Sequence, residues 1–219
     1  MSRQAETEVS LVLEGAEHRG TLAVPANTPG IVLFAHGSGS SRLSSRNRFV
    51  AQALNRRGIA TLLFDLLTAR EDQVYETRFN IELLTRRLVG ATRWIAAQPP
   101  TRDMALGYFG ASTGAAAALY AAAELGEMVR AVVSRGGRPD LAMEALARVT
   151  APTLLIVGGL DEVVLDLNRA AYARLACEKA IEVIPGATHL FEEPGTLEQV
   201  ARLAADWFAQ RLAIAPATT

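Results

Sequence analysis

Apolar and polar residues alternate from Thr7 to Leu13, and a second alternation from His18 to Val24 follows the Glu14-Gly15-Ala16-Glu17 break and stops at Pro25. That pattern predicts an antiparallel hairpin. Beyond it the rhythm changes to apolar runs, continuous at Ile31 to Ala35 and recurring at Ile59 to Phe64, Met104 to Phe109, Val129 to Val133, Thr153 to Val157 and Ala180 to Ile184. The continuous run Ile31 to Ala35 suits a strand covered on both faces. Between the runs lie helical periodicities at Arg46 to Arg57, Glu76 to Ala97, Thr113 to Glu124, Leu141 to Arg148, Glu162 to Ala176 and Thr196 to Leu212. Strand alternating with helix predicts an α/β fold: a mostly parallel sheet of about eight strands with helices on both faces. In such sheets the site lies where loops leave the carboxyl ends of the strands.

The stretch Met104 to Leu125 organises the rest of the chain. A short apolar run leads through Gly110-Ala111-Ser112-Thr113-Gly114 into an alanine-rich helix, and the turn fits G-x-S-x-G, which holds a serine hydroxyl above the sheet edge. Gly110 and Gly114 belong where strand and helix pass too close for side chains. The N–H of Thr113, at the start of the helix, is placed to stabilise a developing oxyanion. The bland alternative is a glycine-rich turn with an ordinary capping serine.

A serine hydroxyl needs a base, usually an imidazole oriented by a carboxylate, and on this architecture the chain order is serine, acid, histidine. His189 is the one histidine after Ser112, and it follows the strand ending at Ile184. Asp161 leaves the strand Thr153 to Val157 through Gly158-Gly159-Leu160. Asp140, Glu162 and Asp166 compete for the acid's role. Asp140 reads as a helix-start residue and Asp166 lies a turn into the next helix, while Glu162 stays open. The second oxyanion donor is assigned to the Ser38 backbone N–H in His36-Gly37-Ser38-Gly39-Ser40-Ser41. A phosphate loop there is the rival reading, but it lacks the Gly-Lys-Ser/Thr ending and the G-x-G-x-x-G spacing. His36 is expected under this loop, Asp65 as a loop-ordering carboxylate, and His18 at a surface or sheet edge.

The 219 residues suit one domain with a sizeable core, hydrolytic or otherwise, with residues 213–219 as a flexible tail. A net charge of −1 gives no electrostatic reason to expect nucleic acid or an anionic membrane as partner. Cys177 is the sole cysteine, so no intrachain disulfide forms, and with three histidines no Cys/His zinc cluster is expected. Neither a signal peptide nor a membrane-length apolar run is visible, which makes the cytoplasm the expected location. No connection is long enough for a lid domain; Leu66 to Tyr75 is the longest loop beside the site.

These motifs carry a resemblance. HGSGSSRLSSRN at His36 to Asn47, FDLLT at Phe64 to Thr68, GASTG at Gly110 to Gly114, SRGGRPDLA at Ser134 to Ala142, GGLDEVV at Gly158 to Val164 and GATHLFEEPG at Gly186 to Gly195 resemble the α/β-hydrolase superfamily. The likeness is to its lid-less dienelactone hydrolase-related branch, including hydrolase domains fused to phosphoribosyltransferases. It implies an α/β-hydrolase fold with Ser112 as nucleophile, Asp161 as acid and His189 as base. Dienelactone hydrolase itself uses a cysteine where this chain has Ser112, so its lactone is not assumed here. No phosphoribosyltransferase domain is expected within these 219 residues.

Arg42, Arg46, Arg135 and Arg138 fall in loops near the expected site, and Arg46 and Arg135 are candidates to grip a substrate carboxylate or phosphate. The expectation is a serine hydrolase cleaving small ester or lactone substrates through an acyl-enzyme, without metal or cofactor. A thioesterase or peptidase on the same triad is the alternative within enzymes, and a non-catalytic binding module of the same fold is the alternative outside them. Oligomeric state leaves no signal in the chain.

Overall fold

Apolar runs become central strands because helices cover both their faces. In the computed structural model, which describes residues 6–213, one sheet contains β1 (Glu6–Leu13), β2 (Ala16–Ala23), β3 (Gly30–Ala35), β4 (Ala60–Phe64), β5 (Ala105–Ala111), β6 (Val129–Arg135), β7 (Thr153–Gly158) and β8 (Lys179–Ile184). Their order across the sheet is β1-β2-β4-β3-β5-β6-β7-β8. β2 runs antiparallel to both β1 and β4, and the remaining neighbours are parallel. The expected tail lies, from residue 214 onward, outside the described residues.

Five α-helices flank the sheet: α1 (Ser45–Arg56), α2 (Ile81–Ala97), α3 (Thr113–Leu125), α4 (Glu162–Arg174) and α5 (Thr196–Arg211). α1 and α5 pack together on one face; α2, α3 and α4 cover the other. β3 shows the consequence for side chains. Ile31, Leu33 and Ala35 enter the core under α2 and α3, while Val32 and Phe34 enter the core under α1 and α5. The alanines of α3 from Ala115 to Ala118 are fully buried, so the helix that follows Ser112 lies close against the sheet.

Three expectations are corrected. The predicted helix from Glu76 is a short 3₁₀ turn, Glu76–Phe79, followed by α2, because Asn80 Oδ1 accepts the Leu83 N–H at 3.0 Å and caps a new start. Leu141 to Arg148 forms no α-helix but two 3₁₀ turns, Pro139–Ala142 and Leu146–Arg148. Pro139, Ala142 and Ala145 are all buried, and that three-residue spacing suits a 3₁₀ turn. His18 is not at the surface: it is 1% exposed, and its Nδ1–H donates to the Asp65 carbonyl at 2.8 Å beneath the loop after β4.

Candidate active site

Ser112 sits between β5 and α3 with φ 50° and ψ −121°, a backbone conformation that residues with a Cβ seldom adopt. Close packing imposes it. A Cβ on Gly114 would lie 2.1 Å from the Ala35 carbonyl oxygen, and one on Gly110 would lie 2.4 Å from Ala115 Cα. The Ser112 hydroxyl caps no amide of α3, which removes the reading of an ordinary capping serine. It is half-buried at the mouth of the turn.

Asp161 and His189 meet across the loops that leave β7 and β8. The Gly159 N–H donates to Ile184 O at 2.8 Å and the Leu160 N–H to Ala187 O at 2.9 Å, joining the two loops. Asp161 stands at the N-cap position of α4 yet caps nothing; its Oδ2 accepts from His189 Nδ1 at 2.6 Å. Nδ1 therefore carries the proton, and Nε2 is the ring atom left to act as base. The Asp161 side chain is 15% exposed and that of His189 37%, so the pair is sheltered at the carboxylate and open at the imidazole. Glu193 steadies the histidine's loop through the Thr188 N–H at 3.1 Å and the Thr188 hydroxyl at 2.6 Å, and those bonds hold its carboxyl below the usual range.

One short loop links the serine to the imidazole. The Ser112 N–H donates to Arg135 O at 3.3 Å, and the Arg138 N–H donates to Ser112 O at 3.0 Å. Between them, Gly136 is so near His189 that a Cβ there would be 3.5 Å from the ring's Cε1. Among the described residues no hydrogen bond joins Ser112 Oγ to the imidazole; such bonds are often long without substrate and tighten when it binds. The rival acids are elsewhere engaged: Asp140 with Arg138 at 2.8 Å and Asp166 with Arg169 at 3.0 Å, while Glu162 opens α4.

The assigned oxyanion donors lie on either side of the elbow. Thr113 N–H opens α3 and has no carbonyl a turn earlier within the helix, whose first turn carries no acidic residue. The Ser38 N–H donates to Thr113 Oγ1 at 3.0 Å. The amide thus faces the elbow, with the threonine hydroxyl as its present acceptor. His36 orders the loop beneath: its Nδ1–H donates to Gly37 O and its Nε2 accepts the Leu66 N–H, both at 3.0 Å. Burial pushes its pKa below the usual imidazole value.

Against this geometry, the model of the dienelactone hydrolase family matches residues 19–213. The chain belongs to that family. A dienelactone hydrolase from Anabaena variabilis is 54% identical, with a TM-score of 0.94 over 96% of this chain and all of that one. A lid-less α/β serine hydrolase from Xanthomonas campestris, 20% identical, shares the fold with a TM-score of 0.77 over 99% of each chain. A putative phosphoribosyl transferase of Mycobacterium tuberculosis is 59% identical over 207 residues, which are 94% of this chain but 47% of that protein. The chain thus spans about half the length of the curated relatives it matches.

As a dienelactone hydrolase family member the chain has an α/β-hydrolase fold. Among its described residues, no helix is long and apolar enough to cross a membrane and no cluster of His, Cys, Asp and Glu fits a metal ion. Of its four candidate arginines, Arg42 pairs with Asp65 and Glu8, Arg46 with Glu192 and Arg138 with Asp140, while Arg135 has no carboxylate. Asp65 is a loop-ordering residue, its Oδ1 accepting the Arg42 N–H at 2.8 Å. Sequence reasoning missed Gly136 and Glu193, although both lie inside the motifs that carried the resemblance. It also missed the Thr113 hydroxyl, at a position that the G-x-S-x-G pattern leaves open.

Proposed function

We propose that this chain is a serine hydrolase domain that cleaves small ester or lactone substrates through an acyl-enzyme. The observation that supports this most is the 2.6 Å bond from His189 to Asp161 beside a serine on a strained elbow. His189 Nε2 takes the Ser112 proton as the hydroxyl attacks the carbonyl carbon. Asp161 fixes the tautomer and stabilises the imidazolium. Charge gathers on the carbonyl oxygen, which accepts from the N–H groups of Thr113 and Ser38. Ser38 N–H exchanges the Thr113 hydroxyl for this oxygen, so the threonine holds the amide in position until substrate arrives. Collapse of the tetrahedral intermediate sends the His189 proton to the leaving oxygen. Water, deprotonated by the same imidazole, then releases the acid and restores Ser112. The chain's own groups suffice for every step, with no metal or cofactor.

A fluorophosphonate probe tests the nucleophile. One equivalent should attach at Ser112, and Ser112→Ala should remove both labelling and about a thousandfold or more of the turnover of p-nitrophenyl esters, with the circular dichroism spectrum kept. Folded protein that takes no label would favour a binding module. Running thioester and aminoacyl substrates beside the esters separates the bond classes.

A further inference from the structure

A guanidinium taken out of water without a counter-charge is disfavoured, so a folded chain that keeps one has a use for it. Arg135 ends β6 and is 6% exposed, with its Nε buried and, among the described residues, without a hydrogen-bond partner. Its Nη2 makes one long contact, 3.4 Å to Asn47 Oδ1 in α1, and its Cζ lies 5.8 Å from the centre of the Phe191 ring. Arg42, Arg87 and Arg211 also have a buried Nε, but each is ion-paired to a carboxylate.

The surroundings of Arg135 add positive charge. Burial and the neighbouring Arg46 push its pKa down to about 10, which leaves it charged at neutral pH. The first turn of α1 holds no acidic residue, and no Asp or Glu occurs anywhere from His18 to Phe64. A helix start of that kind favours an anion. Arg46 is held by Glu192 at 3.1 Å, but that carboxylate is 64% exposed, and exposed pairs exchange readily. The place is also adjacent to the chemistry, since the Arg135 carbonyl accepts the Ser112 N–H.

We propose that Arg135, with Arg46 and Asn47 at the start of α1, forms a subsite for an oxyanion group, carboxylate or phosphate, carried by the substrate at the end away from the scissile bond. This rests on the serine hydrolase reading above. The planar guanidinium offers paired N–H donors to such a group, and the incoming anion displaces Glu192 from Arg46.

The test compares kcat/KM for three p-nitrophenyl esters of equal reach: the hexanoate, the mono-adipate and the 5-phosphonopentanoate. The intact protein should prefer an anionic ester at least tenfold, with the better of the two identifying carboxylate or phosphate. Arg135→Met should bring that ratio to about one, and Arg135→Lys, which keeps the charge but loses the fork, should leave it intermediate. Because Met removes an unpaired buried charge, Arg135→Met should melt at or above the wild-type temperature; a residue kept only for the fold would melt lower. A wild-type ratio near one, or an unchanged ratio in both variants, overturns the proposal. If no ester is turned over at all, the hydrolase reading fails instead. The subsite is then tested in Ser112→Ala by melting in sodium phosphate or sodium adipate against sodium chloride of equal ionic strength. A rise in Tm that Arg135→Lys diminishes supports the subsite, and no rise overturns it.

Discussion

Replacing Ser112 with glycine should inactivate the protein and stabilise it at once. At φ 50° and ψ −121° a residue with a Cβ is strained by on the order of 1–3 kcal/mol, and glycine is not. Against that gain, glycine gives the unfolded chain extra freedom worth ~0.4–1 kcal/mol. The half-buried serine side chain makes no hydrogen bond among the described residues, so its removal loses little else. The difference is a stabilisation of ~0.5–2 kcal/mol, which for a chain of this size raises Tm by ~1–8 °C. Ser112→Ala is the control, since it keeps the Cβ and hence the strain, and it should melt close to wild type. Calorimetry of the three proteins, with p-nitrophenyl ester turnover measured on the same samples, gives the answer. If the glycine variant melts at or below the alanine variant, the elbow stores no strain and the account of how Ser112 is presented is wrong.

Asp161→Asn should lower kcat by ~10³–10⁴ with little change in Tm, because the neutral amide no longer fixes the imidazole tautomer or stabilises its charged form; a loss under tenfold in steady-state kinetics would remove Asp161 from the mechanism. Gly114→Ala places a Cβ 2.1 Å from the Ala35 carbonyl oxygen, and moving that backbone should cost ~1–3 kcal/mol in urea unfolding together with most of the esterase activity. His18 and His36 both have pKa values lowered by burial, so the unfolded chain binds protons below about pH 6.5 that the folded chain refuses. Stability should therefore hold above that pH and decline below it, by at most ~1.4 kcal/mol per pH unit for each histidine, and His36→Asn should flatten the slope measured by denaturant titration.

The sheet was legible because its central strands are mostly apolar, β3 without interruption, and a strand covered on both faces needs that composition. The meeting of Asp161 with His189 was legible for a different reason: Ser112, Asp161 and His189 each lie just beyond the carboxyl end of a parallel strand, β5, β7 and β8 respectively, so the strand ends locate the side chains. What failed were the segments whose state depends on neighbours. Leu141 to Arg148 has helical composition, but its buried alanines suit 3₁₀ spacing once Pro139 starts the turn. His18 alternates like any hairpin residue, and nothing local shows that the loop after β4 will cover it. The unpaired state of Arg135 was likewise invisible, since nothing local to the four arginines shows which carboxylates the fold brings to each.

An open site still needs its rim held in place, and here one peptide unit does much of that holding. The carbonyl of Asp65 accepts from His18 Nδ1 on one side, and the N–H of Leu66 donates to His36 Nε2 on the other. Both belong to the same peptide bond, gripped by two buried imidazoles from β2 and from the loop after β3. His36 in turn binds Gly37 O, one residue before the amide assigned to the oxyanion. The loop that starts at Asp65 is therefore tied to the oxyanion loop by a neutral histidine rather than by a lid. A proton on His36 Nε2 would set N–H against N–H at Leu66 and break that tie. Acid would then loosen the loop that carries the Ser38 amide, because its tie to the loop after β4 needs His36 neutral.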